Sequence, residues 1–178
     1  MKNKAFIFIA MITVSSALPF FVKAQKEDDR IIRDSRETKT AYIKADPAME
    51  RLFADSYGYA IFPNVGKGAA VVGGAAGKGT VYYKGKLIGM ASMIQATVGA
   101  QVGGKAYREV IFFENKESLD RFKDNKVEFS EQVSAIAVKA GASANMPYKE
   151  GVKIFTQDKA GLMAEASIGG QKFSYKHL

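Results

Sequence analysis

Met93-Ile94-Gln95-Ala96-Thr97-Val98-Gly99-Ala100-Gln101-Val102 is the stretch whose reading decides the fold. Ile94, Ala96, Val98, Ala100 and Val102 fall on one parity, and Met93, Gln95, Thr97, Gly99 and Gln101 on the other. A period of two puts these sets on opposite faces of a β-strand, the first expected to be dry and the second wetter. The surrounding residues 58–104 hold most of the chain's 17 glycines and are rich in alanine and valine. Glycine weakens strand interiors, so a concentration of it marks bulges, tight bends or places where another backbone comes close, as where a sheet curls.

Outward from there, Tyr107 to Phe113 is apolar on both parities and reads as a central strand covered from both sides. Asn115 can cap a short helix near 115–125 in which Leu119 and Phe122 lie three apart. Residues 127–144 fit two periods: Phe129, Val133, Ile136 and Ala140 suit a helix, whereas Ile136, Val138, Ala140 and Ala142 suit a strand, to which the second half leans. Residues 152–156 and 162–168 read as a hairpin closed by Gly161, and residues 172–176 as a last strand. On the N-terminal side, Ile31, Ser35, Thr38 and Tyr42 form a thin stripe along a surface helix. Asp46-Pro47 then opens a second helix that turns Met49, Leu52 and Phe53 inward until Ser56. The sum is an α+β fold, a mostly antiparallel, curled or barrel-like sheet of about six to eight strands with N-terminal helices and one short helix near 115–125.

The first 24 residues begin with Lys2 and Lys4, run apolar from 5 to 14 and close on Val22-Lys23-Ala24. That is the pattern of an export signal, with a small-x-small cleavage site. The apolar run is broken by Thr13, Ser15, Ser16 and Pro19 and falls short of the about 20 residues a spanning helix needs. Residues 25–178 are then expected to form a single domain, with a helical segment over 25–56 and a β-rich core over 57–178. Without cysteine there is no disulfide framework, no thiolate and no acceptor for lipid attachment at the export signal. The expected destination is the periplasm or the exterior, with at most peripheral contact with a membrane. Removing Lys2, Lys4 and Lys23 lowers the net charge from +8 to +5.

Several chemistries are closed off. Gly77-Lys78-Gly79-Thr80 puts glycine where a phosphate loop needs Ser or Thr after its lysine, and Val72 stands in place of its first glycine. The dinucleotide fingerprint fails at Val71 and again at Tyr82. The single histidine, His177, sits next to the C-terminus and reads as a tail residue, so neither a Ser-His triad nor a soft-metal site can be built. No carboxylate pair, such as Glu109 and Glu114, stands out from a solvated or strand-edge role, and a hydrolase would need two acids converging in a cleft. The expectation is a protein that is not an enzyme and has no cofactor.

The positive signal is segregated charge. Residues 56–108 contain no Asp or Glu, yet carry Lys67, Lys78, Lys84, Lys86, Lys105 and Arg108. Lys67, Lys78, Lys84 and Lys86 each adjoin a glycine at an expected strand end, where an ammonium group and exposed backbone can receive an anionic oxygen. An exported protein seldom meets nucleic acid, and no aromatic-plus-basic RNA-binding pattern is present. Acidic phospholipid headgroups are the expected partner. At about 1 kcal/mol per cation, six give about 6 kcal/mol, a dissociation constant on the order of tens of micromolar. The competing expectation is a structural or protein-interaction module of the cell envelope whose lysines only maintain solubility.

Spaced blocks between Leu52 and Tyr175 also carry a resemblance. They are the run from Gly58 through Tyr59, Ala60, Ile61, Phe62, Pro63, Asn64 and Val65 to Gly66-Lys67-Gly68; Gly73-Gly74; Gly77-Lys78-Gly79-Thr80-Val81; Val98-Gly99-Ala100-Gln101-Val102-Gly103-Gly104; Ile154-Phe155-Thr156; and Lys159-Ala160-Gly161-Leu162-Met163-Ala164. In this order they resemble the SYLF domain family, also called the Ysc84 domain. The resemblance implies a non-catalytic lipid-binding module, and it favours a strand within 127–144. Some fungal members bundle actin, which the expected export signal keeps out of reach here. Glu165 stands where many relatives carry glycine.

Overall fold

Alternating apolar sequence and tight turns build seven strands and three helices among the described residues of the computed structural model, namely 18–67, 74–96, 106–125, 135–141, 143, 146–159 and 170–178. In chain order these are α1 (Leu18–Ala45), α2 (Ala48–Asp55), β1 (Gly58–Lys67), β2 (Gly74–Tyr83), β3 (Lys86–Ala96), β4 (Tyr107–Phe113), α3 (Lys116–Lys123), β5 (Ala135–Ala137), β6 (Val152–Asp158) and β7 (Gln171–His177). The strands form one sheet in the order β5-β6-β4-β1-β2-β3-β7, antiparallel throughout except for β5 beside β6. Residues 31–178 make one compact unit, and the first part of α1, residues 18–30, belongs to another.

The sheet is curled but not closed, leaving β5 and β7 as its edges. In a flat sheet β1 and β7 would lie about 14 Å apart, three steps of about 4.8 Å. The rings of Phe62 on β1 and Phe173 on β7 nevertheless stand 5.7 Å apart. Phe122 of α3 fills the mouth of the curl, 5.0 Å from Phe113 and 5.1 Å from Phe173. Glycine makes the curl possible where backbones crowd. A Cβ on Gly79 would sit 2.3 Å from the Ile61 carbonyl oxygen, and one on Gly89 would sit 2.3 Å from the Tyr175 ring. At the β2–β3 turn, Lys84 and Gly85 take φ of 45° and 77°, the doubly positive pattern that matches strand twist in a two-residue hairpin.

The two faces pack differently. Ala60, Phe62, Val81, Met93, Ile111, Phe113, Ile154 and Phe173 fill the inside of the curl together with Leu119 and Phe122. Tyr59, Ile61, Tyr82, Val110, Phe112 and Phe155 face outward and are covered by Tyr42, Met49 and Phe53 of α1 and α2. Ile31, Ser35, Thr38 and Tyr42 are all buried, as the thin stripe predicts. The Tyr42 hydroxyl, 3.0 Å from the carbonyl oxygens of both Arg108 and Phe155, ties α1 to β4 and β6. Asp46 accepts from the Ala48 N–H at 3.2 Å and from the Ser143 N–H and hydroxyl at 2.9 and 2.7 Å. Asn115 caps α3 by accepting from the Ser118 N–H at 3.0 Å, and the Ser118 hydroxyl accepts in return from the Asn115 N–H at 3.3 Å.

Tyr107–Phe113 is the covered central strand, and residues 135–137 are a strand, as expected. The opening decapeptide is corrected in one respect. Its strand is present to Ala96, with residues 97–102 outside the described set, but its faces are exchanged: Met93 and Gln95 are buried, whereas Ile94 is 51% exposed. Register decides this, because Met93 pairs with Gly77 and Phe173 and so shares their inward parity. His177 is not a loose tail residue, since it pairs with Gly89 as the last residue of β7. Of the expected hairpin, the first strand is β6, and the residues of the second lie outside the described ones.

Candidate functional site

Toward one end, the inside of the curl changes from apolar to polar on four strands at once. On β4 the inward parity runs from Phe113 and Ile111 to Glu109 and Tyr107; on β6 it runs from Val152 and Ile154 to Thr156 and Asp158. On β3 it passes from Met93 to Gln95, and on β7 from Phe173 back to Gln171. Register aligns the changes: Glu109 lies opposite Thr156, Tyr107 opposite Asp158, and Gln95 opposite Gln171. All six side chains are buried.

Gln171 donates through Nε2 to Glu109 Oε2 at 2.9 Å, although β7 and β4 are four strands apart along the sheet. Tyr107 donates to Gln95 Oε1 at 3.2 Å. Glu109 is 0% exposed, and burial pushes its carboxyl up to about 7, opposed by the hydrogen bond from Gln171. Burial also lifts the Tyr107 phenol far above its ordinary value, with the negative charge of Glu109 adding to the effect. Glu109 Oε1, Thr156 Oγ1 and Gln171 Oε1 have no hydrogen-bond partner among the described residues. The expected solvated or strand-edge role for Glu109 is therefore wrong, while Glu114 is exposed. Tyr107–Phe113 reads as apolar on both parities, which hides Glu109 in the sequence. The signal was the polar drift on a single parity.

The described cations singled out in the sequence do not gather at one place on the sheet. Lys84 and Lys86 flank the β2–β3 turn and are exposed. The Lys84 ammonium lies 5.6 Å from the Tyr83 ring centroid. Lys78 is exposed on β2, six residues from Lys84 and so about 20 Å away along the strand. Arg108 is half-buried on β4 and donates to Gln157 Oε1 at 3.0 Å. Lys67 ends β1, and Lys105 lies outside the described residues.

Lys78 has other company. Its outward neighbours in register are Ser92 on β3 and Ser174 on β7, while Ile94 pairs with Lys172, and Met90 with Lys176. Lys172 and Lys176 are exposed. The strands β2, β3 and β7 contain no Asp or Glu. Register thus brings Lys78 and Lys172 near the exposed Ile94, with Lys176 four residues further along β7, on strands that are far apart in sequence and themselves contain no Asp or Glu. Sequence reasoning missed the two β7 lysines because the last 70 residues are neutral on balance.

Among the described residues no helix is long and apolar enough to cross a membrane, which leaves β-strand crossing unaddressed. None of their His, Cys, Asp and Glu side chains form a group of three suited to a metal ion. Residues 94–177 match the family described as Ysc84, Las17-binding protein actin regulator. Beta cell expansion factor A from Aeromonas veronii is 34% identical over 137 residues, covering 71% of this chain and 49% of that protein. The chain therefore spans about half the length of this curated relative. The matched region holds the interior polar end and the β7 lysines, whereas Lys67, Lys78, Lys84 and Lys86 precede it.

Proposed function

The chain belongs to the SYLF (Ysc84) family, and we propose that it is a non-catalytic module of the cell envelope that associates with acidic phospholipid headgroups through the outer face of β2, β3 and β7. The observation that supports this reading is the outward placement of exposed Lys78, Lys172 and Lys176, together with exposed Ile94, on strands that contain no Asp or Glu. Ammonium groups form charge-assisted hydrogen bonds with phosphate oxygens, and an exposed isoleucine among them can enter the headgroup layer. The lysines of the Lys84-Gly85-Lys86 turn extend the positive charge toward the hairpin end. Export by the N-terminal signal belongs to the same proposal, because it brings the protein to envelope lipid and keeps it from actin and nucleic acid.

Each lysine near an anionic surface contributes about 1 kcal/mol, so replacing Lys78, Lys172 and Lys176 by glutamine removes about 3 kcal/mol, on the order of 100-fold in affinity. Co-sedimentation with vesicles of acidic and of neutral phospholipid, at low and high salt, tests the reading. Binding is expected only to acidic vesicles, to weaken with salt, and to fall in the triple variant. Equal binding to both vesicle types, or a triple variant that binds like the parent, refutes it and favours an envelope interaction module whose lysines serve solubility.

A further inference from the structure

The outer face uses none of the residues at the interior polar end, where the buried oxygens that accept no hydrogen bond among the described residues include Glu109 Oε1, Thr156 Oγ1 and Gln171 Oε1, with the Asp158 carboxylate buried at the same end. Glu109, Thr156 and Gln171 are all 0% exposed. Glu109 and Thr156 are directly opposed on β4 and β6, which brings their Cβ atoms within about 5.5 Å. Gln171 Nε2 lies 2.9 Å from Glu109 Oε2, so the oxygen of the same planar amide is held within about 5 Å of the carboxylate. Three strands thus bring three acceptors to one place. Leaving such groups unmade in a dry interior is costly, and Glu109 is bonded among the described residues only to a neutral amide.

We propose that this end of the sheet interior is a binding site for a primary ammonium group, whose three N–H bonds are accepted by Glu109 Oε1, Thr156 Oγ1 and Gln171 Oε1. The match is one of number and type. An alkylammonium offers three donors and no acceptor, and Glu109, Thr156 and Gln171 supply one carboxylate and two neutral oxygens, while the buried Asp158 carboxylate at the same end also favours a cation over an anion. A quaternary ammonium has no N–H to offer. An anion would meet the carboxylate, and a calcium ion takes about six to eight oxygens, more than these side chains supply. Ethanolamine is the smallest natural form of this chemistry. It occurs free and as a phospholipid headgroup, and the site recognises the ammonium in either.

Calorimetric titration of the full chain with ethanolamine, in amine-free phosphate buffer at pH 8, tests the proposal, with choline as the matched quaternary cation. Ethanolamine is expected to bind and choline not to. Glu109→Gln and Thr156→Val, each checked for folding by circular dichroism, are each expected to weaken ethanolamine binding at least tenfold. Affinity is also expected to drop about tenfold from pH 8 to pH 6, because only ionised Glu109 holds the cation and its carboxyl titrates near 7. Vesicles of phosphatidylethanolamine and of phosphatidylcholine, at equal acidic-lipid content, separate the sources. A preference for the former that Glu109→Gln abolishes assigns the lipid headgroup, and ethanolamine binding without that preference assigns the free amine. No ethanolamine binding, equal binding of choline, or full binding by both variants overturns the site.

Discussion

Replacing Glu109 by glutamine isolates what a buried carboxyl does to this fold. The side chain is 0% exposed, and its carboxyl is raised by burial from 4.5 to about 7. Folding therefore favours the protonated form. The stability this provides is fully present below about pH 4.5 and is lost as the pH rises through about 7. A gap of about 2.5 between the two values, at about 1.4 kcal/mol per unit, amounts to about 3 kcal/mol. Glutamine keeps the shape and the contact with Gln171 but does not titrate.

The variant and the parent are thus expected to be about equally stable at pH 4.5 and to diverge above it. By pH 8.5 the variant should be more stable by about 3 kcal/mol, or about 6–12 °C in Tm for a chain of this length. Urea unfolding followed by circular dichroism, in amine-free buffers at half-unit steps, measures the difference. Tyr107 and Asp158 share the interior with Glu109, Arg108 faces outward beside it, and all three are common to both proteins. Parallel stability curves from pH 4.5 to 8.5 would show that Glu109 is not the dry carboxyl described here.

Three other substitutions, with Gly66→Ala as a fourth for comparison, probe the frame that holds this end together. Tyr42→Phe removes the hydroxyl shared between the Arg108 and Phe155 carbonyls and is expected to cost about 1–2 kcal/mol in urea unfolding. For Asp46, burial disfavours the charge, but bonds from Ser143, Ala48 and Gly141 outweigh it and hold the carboxyl below its ordinary value. Its stability is present above the ordinary value and lost as the pH falls through the lowered one, so the cost of Asp46→Asn, about 2 kcal/mol at pH 7, should shrink in acid. Gly79→Ala drives a Cβ to within 2.3 Å of the Ile61 carbonyl oxygen and is expected to lower stability by at least about 2 kcal/mol in thermal melts. Gly66→Ala, where a Cβ meets nothing within 4 Å, serves as the comparison and should change stability by no more than about 0.5 kcal/mol.

Local chemistry was legible in the sequence wherever it acts locally. Asn115 announces α3, the Ile31, Ser35, Thr38 and Tyr42 stripe announces the buried side of α1, and the glycines announce a sheet that bends. Which side of a strand lies inside is not local. On residues 93–96 either parity could have been the dry one, and apolar Ile94 looked like the core residue beside polar Gln95. Pairing with Gly77 and Phe173 placed Met93 inside, and period two then carried Gln95 inward and Ile94 out.

That one inversion accounts for both surfaces of interest. The outward parity of β3 aligns Ser92 and Ile94 with Lys78, Lys172 and Ser174, so a charge pattern visible only as an acid-free stretch becomes a face that also draws on the C-terminal strand. The inward parity brings Gln95 to Gln171, and through Gln171 to Glu109, a carboxylate four strands away along the sheet. No spacing along the chain encodes that meeting, because it requires the sheet to curl until β7 reaches β4. The glycines that permit the curl at Gly79 and Gly89 are therefore remote determinants of the buried carboxyl. A substitution that flattens the sheet there should expose Glu109, return its carboxyl toward 4.5 and abolish the pH-dependent advantage of Glu109→Gln, coupling two sites that share no contact.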